Sequence, residues 1–125
     1  MRTSTGIEAF VAGWIDAWNR RDVEWVLARF AEDTVFTSPT ADQVTGSPVV
    51  RGKAALREYW TAALARRTAP LDFELDHALW DEAQRELAIV FTRRGDPGRV
   101  RACELLRFGA DGLVIEGEAL HGARL

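Results

Sequence analysis

Three ionisable side chains stand alone in runs that otherwise alternate apolar residues with polar ones. Val100, Ala102, Glu104, Leu106 and Phe108 fall on one face of a period-two segment, and Leu113, Ile115, Gly117, Ala119 and His121 on one face of the next. Leu71, Phe73, Leu75, His77 and Leu79 make a third such set. A carboxyl or imidazole placed among Leu, Phe and Ile is a costly accident, a satisfied core group or the working end of a pocket. Burial raises the pKa of a carboxyl and lowers that of an imidazole, which makes an acid and a neutral base available near neutral pH. Glu104, His121 and His77 are therefore the candidate proton carriers, provided their faces point the same way.

Each has a structural alternative. Glu104 is either a pocket acid or half of an ion pair with Arg51 or another arginine. His121 lies near the C-terminus, where a frayed strand would leave it solvated. His77 also reads as a hydrogen-bonded core histidine. Asp42 is a weaker candidate base within a polar stretch. Arg93, Arg94, Arg99 and Arg101 flank one turn, where they either grip an anion or stay solvated. Two histidines and one cysteine show no zinc-ligand spacing, and neither a phosphate loop nor a nucleophile elbow is present.

The elements that must carry these residues follow from periodicity. Thr5-Gly6-Ile7-Glu8 fits a capping box, and Ile7, Phe10, Val11, Trp14, Ile15 and Trp18 then form an apolar helical stripe ending at Asn19. Asp22 caps a shorter helix that turns Val23, Val26, Leu27 and Phe30 inward. Thr34 to Ser38 reads as a strand stopped by Pro39, Thr40 to Ser47 as an exposed loop, and Pro48 to Arg51 as a short strand. Gly52 introduces a third helix from Lys53 to about Arg66, with Leu56, Tyr59, Trp60, Ala63 and Leu64 on one side. The period then changes to two, predicting strands at Leu71–Trp80, Arg85–Arg94, Arg99–Phe108 and Leu113–Gly122. Turns at Asp81–Gln84, Gly95–Gly98 and Ala110–Gly112 are short enough to make these neighbours antiparallel.

Trp14, Trp18 and Trp60 fall on inward stripes, so they serve as core or, with Tyr59, line a cavity for a planar apolar ligand. Trp80 alternates away from His77 and, with Val90, Cys103 and Leu105, would make the outer sheet face partly apolar. A patch of that kind predicts a homodimer through the sheet.

At 125 residues the chain has the size of one ordinary domain, and we expect a single domain over residues 1–125. Its hydrophobic fraction of 47% and charged fraction of 28% are globular. No apolar run approaches the ~18 residues of a membrane helix, and Glu8 interrupts the stretch where a secretion signal would lie, so the expected location is cytoplasmic. A net charge of −3 and a pI near 5.4 argue against a nucleic-acid partner. The lone Cys103 excludes an internal disulfide.

The order helix, helix, strand, short strand, helix, four-strand meander resembles the nuclear-transport-factor-2-like superfamily, which includes ketosteroid isomerase, scytalone dehydratase and SnoaL-like polyketide cyclases. The resemblance is carried by FVAGWIDAWNRRDVEWVLARFAEDTVFTSP, VVRGKAALREYW and CELLRFGADGLVIEG, and spans almost the whole chain. It implies an α+β fold: a cone-shaped barrel in which three helices from the N-terminal half pack on a curved, mainly antiparallel sheet. A hydrophobic pocket at the opening and a dimer across the sheet are also implied. Ketosteroid isomerase has a tyrosine donor on its first helix, where this chain has Trp14 and Trp18. Ser38, Thr40 and Asp42 follow the first strand here, Glu104 stands in the region of the late acid, and His121 or Glu118 in that of the SnoaL-like acid/base group.

The expected function is cofactor-free acid/base catalysis on a hydrophobic carbonyl compound, as an isomerase, cyclase or dehydratase. Glu104, His121 and His77 are its expected catalytic groups, and Trp14, Trp18, Ser38, Tyr59 and Trp60 bind the substrate. The alternative is a non-catalytic ligand-binding or dimerisation domain.

Overall fold

A computed structural model describes residues 4–95 and 98–125. The capping box at Thr5 rests on a side chain outside the described residues, as does the middle of the turn at Asp96-Pro97. Helix α1, Ser4–Asn19, buries Ile7, Phe10, Val11, Trp14 and Trp18 of the expected stripe together with Ala17, and leaves Ile15 partly buried. Asp22 caps α2, Val23–Leu27, by accepting from the Trp25 N–H at 3.1 Å. Phe30 is buried as expected, but it opens strand β1, Phe30–Thr37, rather than ending the helix.

The stretch after β1 is a helix, not the expected exposed loop. Ser38 caps α3, Pro39–Thr45, by accepting from the Thr40 N–H at 3.1 Å; proline sits in the first turn, and Gly46 closes the helix at φ 86°. Pro at the start and a left-handed Gly at the end are the favoured helix punctuation, and they prevail over the polar composition. The helices thus number four among the described residues, one more than expected. Strand β2 is Val49–Arg51, and helix α4, Lys53–Ala65, buries Leu56, Tyr59 and Trp60.

Strands β3 (Phe73–Asp81), β4 (Glu86–Arg93), β5 (Val100–Phe108) and β6 (Val114–Arg124) form the expected antiparallel meander. The six-stranded sheet has the order β2-β1-β6-β5-β4-β3, and β6 pairs with β1 in parallel. It is a curved, unclosed sheet with the helices on its inner face, the cone-shaped α+β architecture of nuclear-transport-factor-2-like proteins. Bulges supply local bending and twist. Asn19 ties the end of α1 to the start of β3: its amide donates to the Phe73 carbonyl at 3.0 Å and accepts the Phe73 N–H at 2.7 Å.

Two bulges reassign faces. In β3, Leu75 opposes Phe91 but His77 opposes Val90, so Asp76 is an extra residue. Phe73 and Leu75 face inward before it, Ala78 and Trp80 after it, and His77 is thrown to the exposed outer face. Trp80, expected outside, packs inward with its ring 5.8 Å from Phe108. In β6, Phe108 opposes Val114 and Arg107 opposes Glu116, leaving Ile115 unpaired. Val114, rather than Leu113 or Ile115, then shares the inner face with Gly117, Ala119 and His121. Among the described residues, no helix is long and apolar enough to cross a membrane.

Candidate functional site

Between the inner face of the sheet and helices α1 and α4 lies a cavity of about 170 Å³. That is close to the ~150 Å³ in which an apolar cavity holds one aromatic ring. Trp14 and Trp18 reach it from successive turns of α1, and Tyr59 and Trp60 from the buried side of α4. Ser38 enters from the end of β1, and Glu104 and His121 from the inner faces of β5 and β6. Of the eight expected catalytic and substrate-binding residues, seven border this space and His77 does not.

The apolar wall is an aromatic network. Trp60 meets Trp18, Phe30 and Phe36 edge-on at 5.0, 5.4 and 5.4 Å between centroids, and Trp14 meets Phe91 at 5.2 Å. Gly117 makes room for it, since a Cβ there would lie 2.7 Å from Phe36 Cδ1.

Glu104 is the polar centre. It lies mid-strand, opposite Ile89 on one side and Ala119 on the other, and is only 6% exposed. Among the described residues no hydrogen-bond or ion-pair partner reaches its carboxyl. Arg51, the candidate partner, is exposed on β2, with β1 and β6 between it and β5. Loss of solvation alone pushes the Glu104 carboxyl up to about 8, so near neutral pH it carries a proton it can donate. His121 opposes Ala102, one inward position from Glu104 along β5, which makes the two diagonal neighbours on one face. It stands at the cavity's open edge. Partial burial, then the nearby Arg93 charge, lower its pKa and favour the neutral imidazole.

Facing them, the Tyr59 hydroxyl lies 3.2 Å from Ser38 Oγ. Burial raises the Tyr59 pKa, so it remains a phenol able to donate. The indole Nε1 atoms of Trp14 and Trp18 are buried without an acceptor. The chamber is thus lined by aromatic rings, with the Ser38 and Tyr59 hydroxyls on one side and one protonated acid in its wall.

Asp42 and Glu118 are not part of it. Asp42 is exposed on α3, and Glu118 lies on the outer face beside Glu116 and Arg107. Two arginines border the cavity as well: Arg67, which the sequence had not singled out, and Arg93, one of the four flanking the turn that either grip an anion or stay solvated. Arg93 shares its face with Leu87, Ile89 and Phe91, and Arg67 follows Tyr59, Trp60, Ala63 and Leu64 at helical spacing. Those parities are present in the sequence, but an arginine at the end of an element is ordinarily solvated. Among the described residues no group of three or more His, Cys, Asp or Glu side chains is placed to hold a metal ion.

The SnoaL-like domain model matches residues 11–117. A SnoaL-like protein of unknown function from Burkholderia thailandensis is 32% identical, with a TM-score of 0.83 over 97% of this chain and 98% of that one. A steroid delta-isomerase from Pseudomonas aeruginosa is 21% identical, with a TM-score of 0.70 over 94% and 80% of the two chains. SalBIII, an epoxide hydrolase/cyclase-like enzyme with a role in pyran ring formation in the polyether salinomycin, is 20% identical, with a TM-score of 0.71 over 98% and 95%. The last two show likeness of fold. The chain belongs to the SnoaL-like family of the nuclear-transport-factor-2-like superfamily.

Proposed function

We propose that the protein binds a hydrophobic carbonyl compound in the aromatic chamber and catalyses an isomerisation, cyclisation or dehydration by acid/base chemistry without a cofactor. The observation that carries this is the unpaired, protonated Glu104 in the wall of a largely aromatic cavity. Glu104 donates its proton to the substrate oxygen, neutral His121 accepts one from carbon, and the Tyr59 hydroxyl supports the developing oxyanion. Trp14, Trp18, Trp60 and Ser38 shape and orient the bound molecule.

Proton transfer next to a carbonyl is testable without the natural substrate. The rate at which cyclohexanone exchanges its α-hydrogens for deuterium, followed by NMR, should rise with the protein present. Glu104→Gln should remove ~10²-fold or more of that acceleration while leaving ketone binding intact. The wild-type rate should fall as pH rises through about 8, where the acid loses its proton. Exchange unaffected by the substitution would eliminate Glu104 as the acid.

We also infer a homodimer across the outer sheet face. Leu79 and Leu120 are 61% and 42% exposed there, beside half-buried Val90, Cys103 and Leu105. Sedimentation at micromolar concentration should give twice the chain mass, and Leu120→Glu with Leu79→Glu should return it to a monomer. A wild-type chain that sediments only as a monomer removes this inference.

A further inference from the structure

Charge in the chamber is unbalanced. Arg67 and Arg93 both border it, and neither has a hydrogen-bonded or carboxylate partner for its guanidinium among the described residues. Neighbouring arginines on the sheet are paired, Arg94 with Asp72 and Glu74 and Arg101 with Asp76, and these pairs lie outside the cavity. Arg67 Nε is fully buried with its N–H unsatisfied, and its charge is opposed first by burial and then by Arg93 and Arg21. Glu104, the acid in the chamber wall, is protonated near neutral pH and offers no counter-charge.

Setting two partly buried guanidinium charges beside one cavity without a counter-charge costs free energy that an anion bound there would recover. A carboxylate suits the forked guanidinium donors and is small enough to share the space with one ring. Trp14 and Trp18 border the same chamber and supply apolar ring surface beside the two arginines.

We propose that the ligand of this chamber is an organic acid: one alicyclic or aromatic ring held by the tryptophans, bearing a carboxylate held by Arg67 and Arg93. This rests on the chamber being a ligand site, as proposed above, and narrows the carbonyl compound to an acidic one.

Cyclohexanecarboxylate and cyclohexanecarboxamide differ in charge but little in shape. Their dissociation constants near neutral pH and at fixed ionic strength can be read from quenching of tryptophan emission. The carboxylate should bind ~10-fold or more tightly than the amide. In the double variant Arg67→Met, Arg93→Met that preference should collapse to about unity with amide binding little changed, whereas Arg67→Lys should retain part of it. Equal binding of acid and amide by the wild type, failure of both to bind, or a preference that survives the double variant would overturn the proposal. Glu104→Gln should keep the preference. A charge preference that persists while ketone exchange ignores Glu104 would leave the acid site standing and remove the catalytic reading alone. Loss of the preference with exchange still dependent on Glu104 would do the reverse.

Discussion

Replacing Glu104 by Gln is expected to make the protein more stable, and increasingly so as the pH rises. The carboxyl has an ordinary pKa of 4.5, and burial raises it to about 8 in the fold. Below 4.5 both folded and unfolded chains carry the proton, and above 8 both have lost it, so neither region adds a pH dependence. Between them the folded state holds a proton that the unfolded state releases. Stability therefore falls with rising pH, by up to ~1.4 kcal/mol per unit from this one group. Gln is similar in size, stays neutral and has no such slope. Contributions from His121 are common to both proteins and cancel. Urea midpoints at pH 5 and pH 8 should show the variant ahead by a gap that widens to several kcal/mol at the higher pH. A gap independent of pH would show that Glu104 ionises normally in the fold, and the acid proposed for catalysis would not exist.

Trp60→Ala should be the most damaging single change in the core. The ring is 5% exposed and touches three aromatic partners edge-on, so truncation removes both its buried area and three favourable ring contacts. Large-to-small changes of this kind cost ~3–5 kcal/mol. That is a large share of the ~5–15 kcal/mol that holds an ordinary domain together. The midpoint of urea unfolding should drop accordingly, with Trp60→Phe recovering much of the loss. Stability unchanged by Trp60→Ala would mean that the wall of the chamber is not packed as described.

These two residues also show what could be read in advance. Glu104 sits on β5 between Val100 and Phe108, where inner-face alternation is uninterrupted, and so its face follows from parity alone. Trp60, Trp14 and Trp18 lie on helices whose stripes are equally regular. His77 was not legible because Asp76 inserts one residue into β3, and a single insertion reverses every later side chain. Ile115 does the same to the start of β6. Neither insertion leaves a mark in hydrophobicity, since Asp76 and Ile115 each fit the local pattern. Helix α3 had its signal in Ser38, Pro39 and Gly46, but its interior is polar because only Ala41 is buried. Arg67 and Arg93 show the opposite difficulty: their spacing pointed inward while their charge argued for solvent.

The position of β6 has a bearing on how the molecule is made. This strand follows all the others in sequence yet lies between β1 and β5, pairing Phe30 with Val114 and Phe36 with Gly117. As the chain leaves the ribosome, β1 and β2 can zip together early, and the β3–β5 hairpins soon after, but the two halves have no seam until β6 arrives. Until then the apolar inner faces of both stand open, a hazard for association with other chains. Such distant pairing also slows folding itself. Nascent chains of this protein should therefore call on chaperones until β6 has emerged, and lesions in β6 should show as poor yield before they show as poor chemistry.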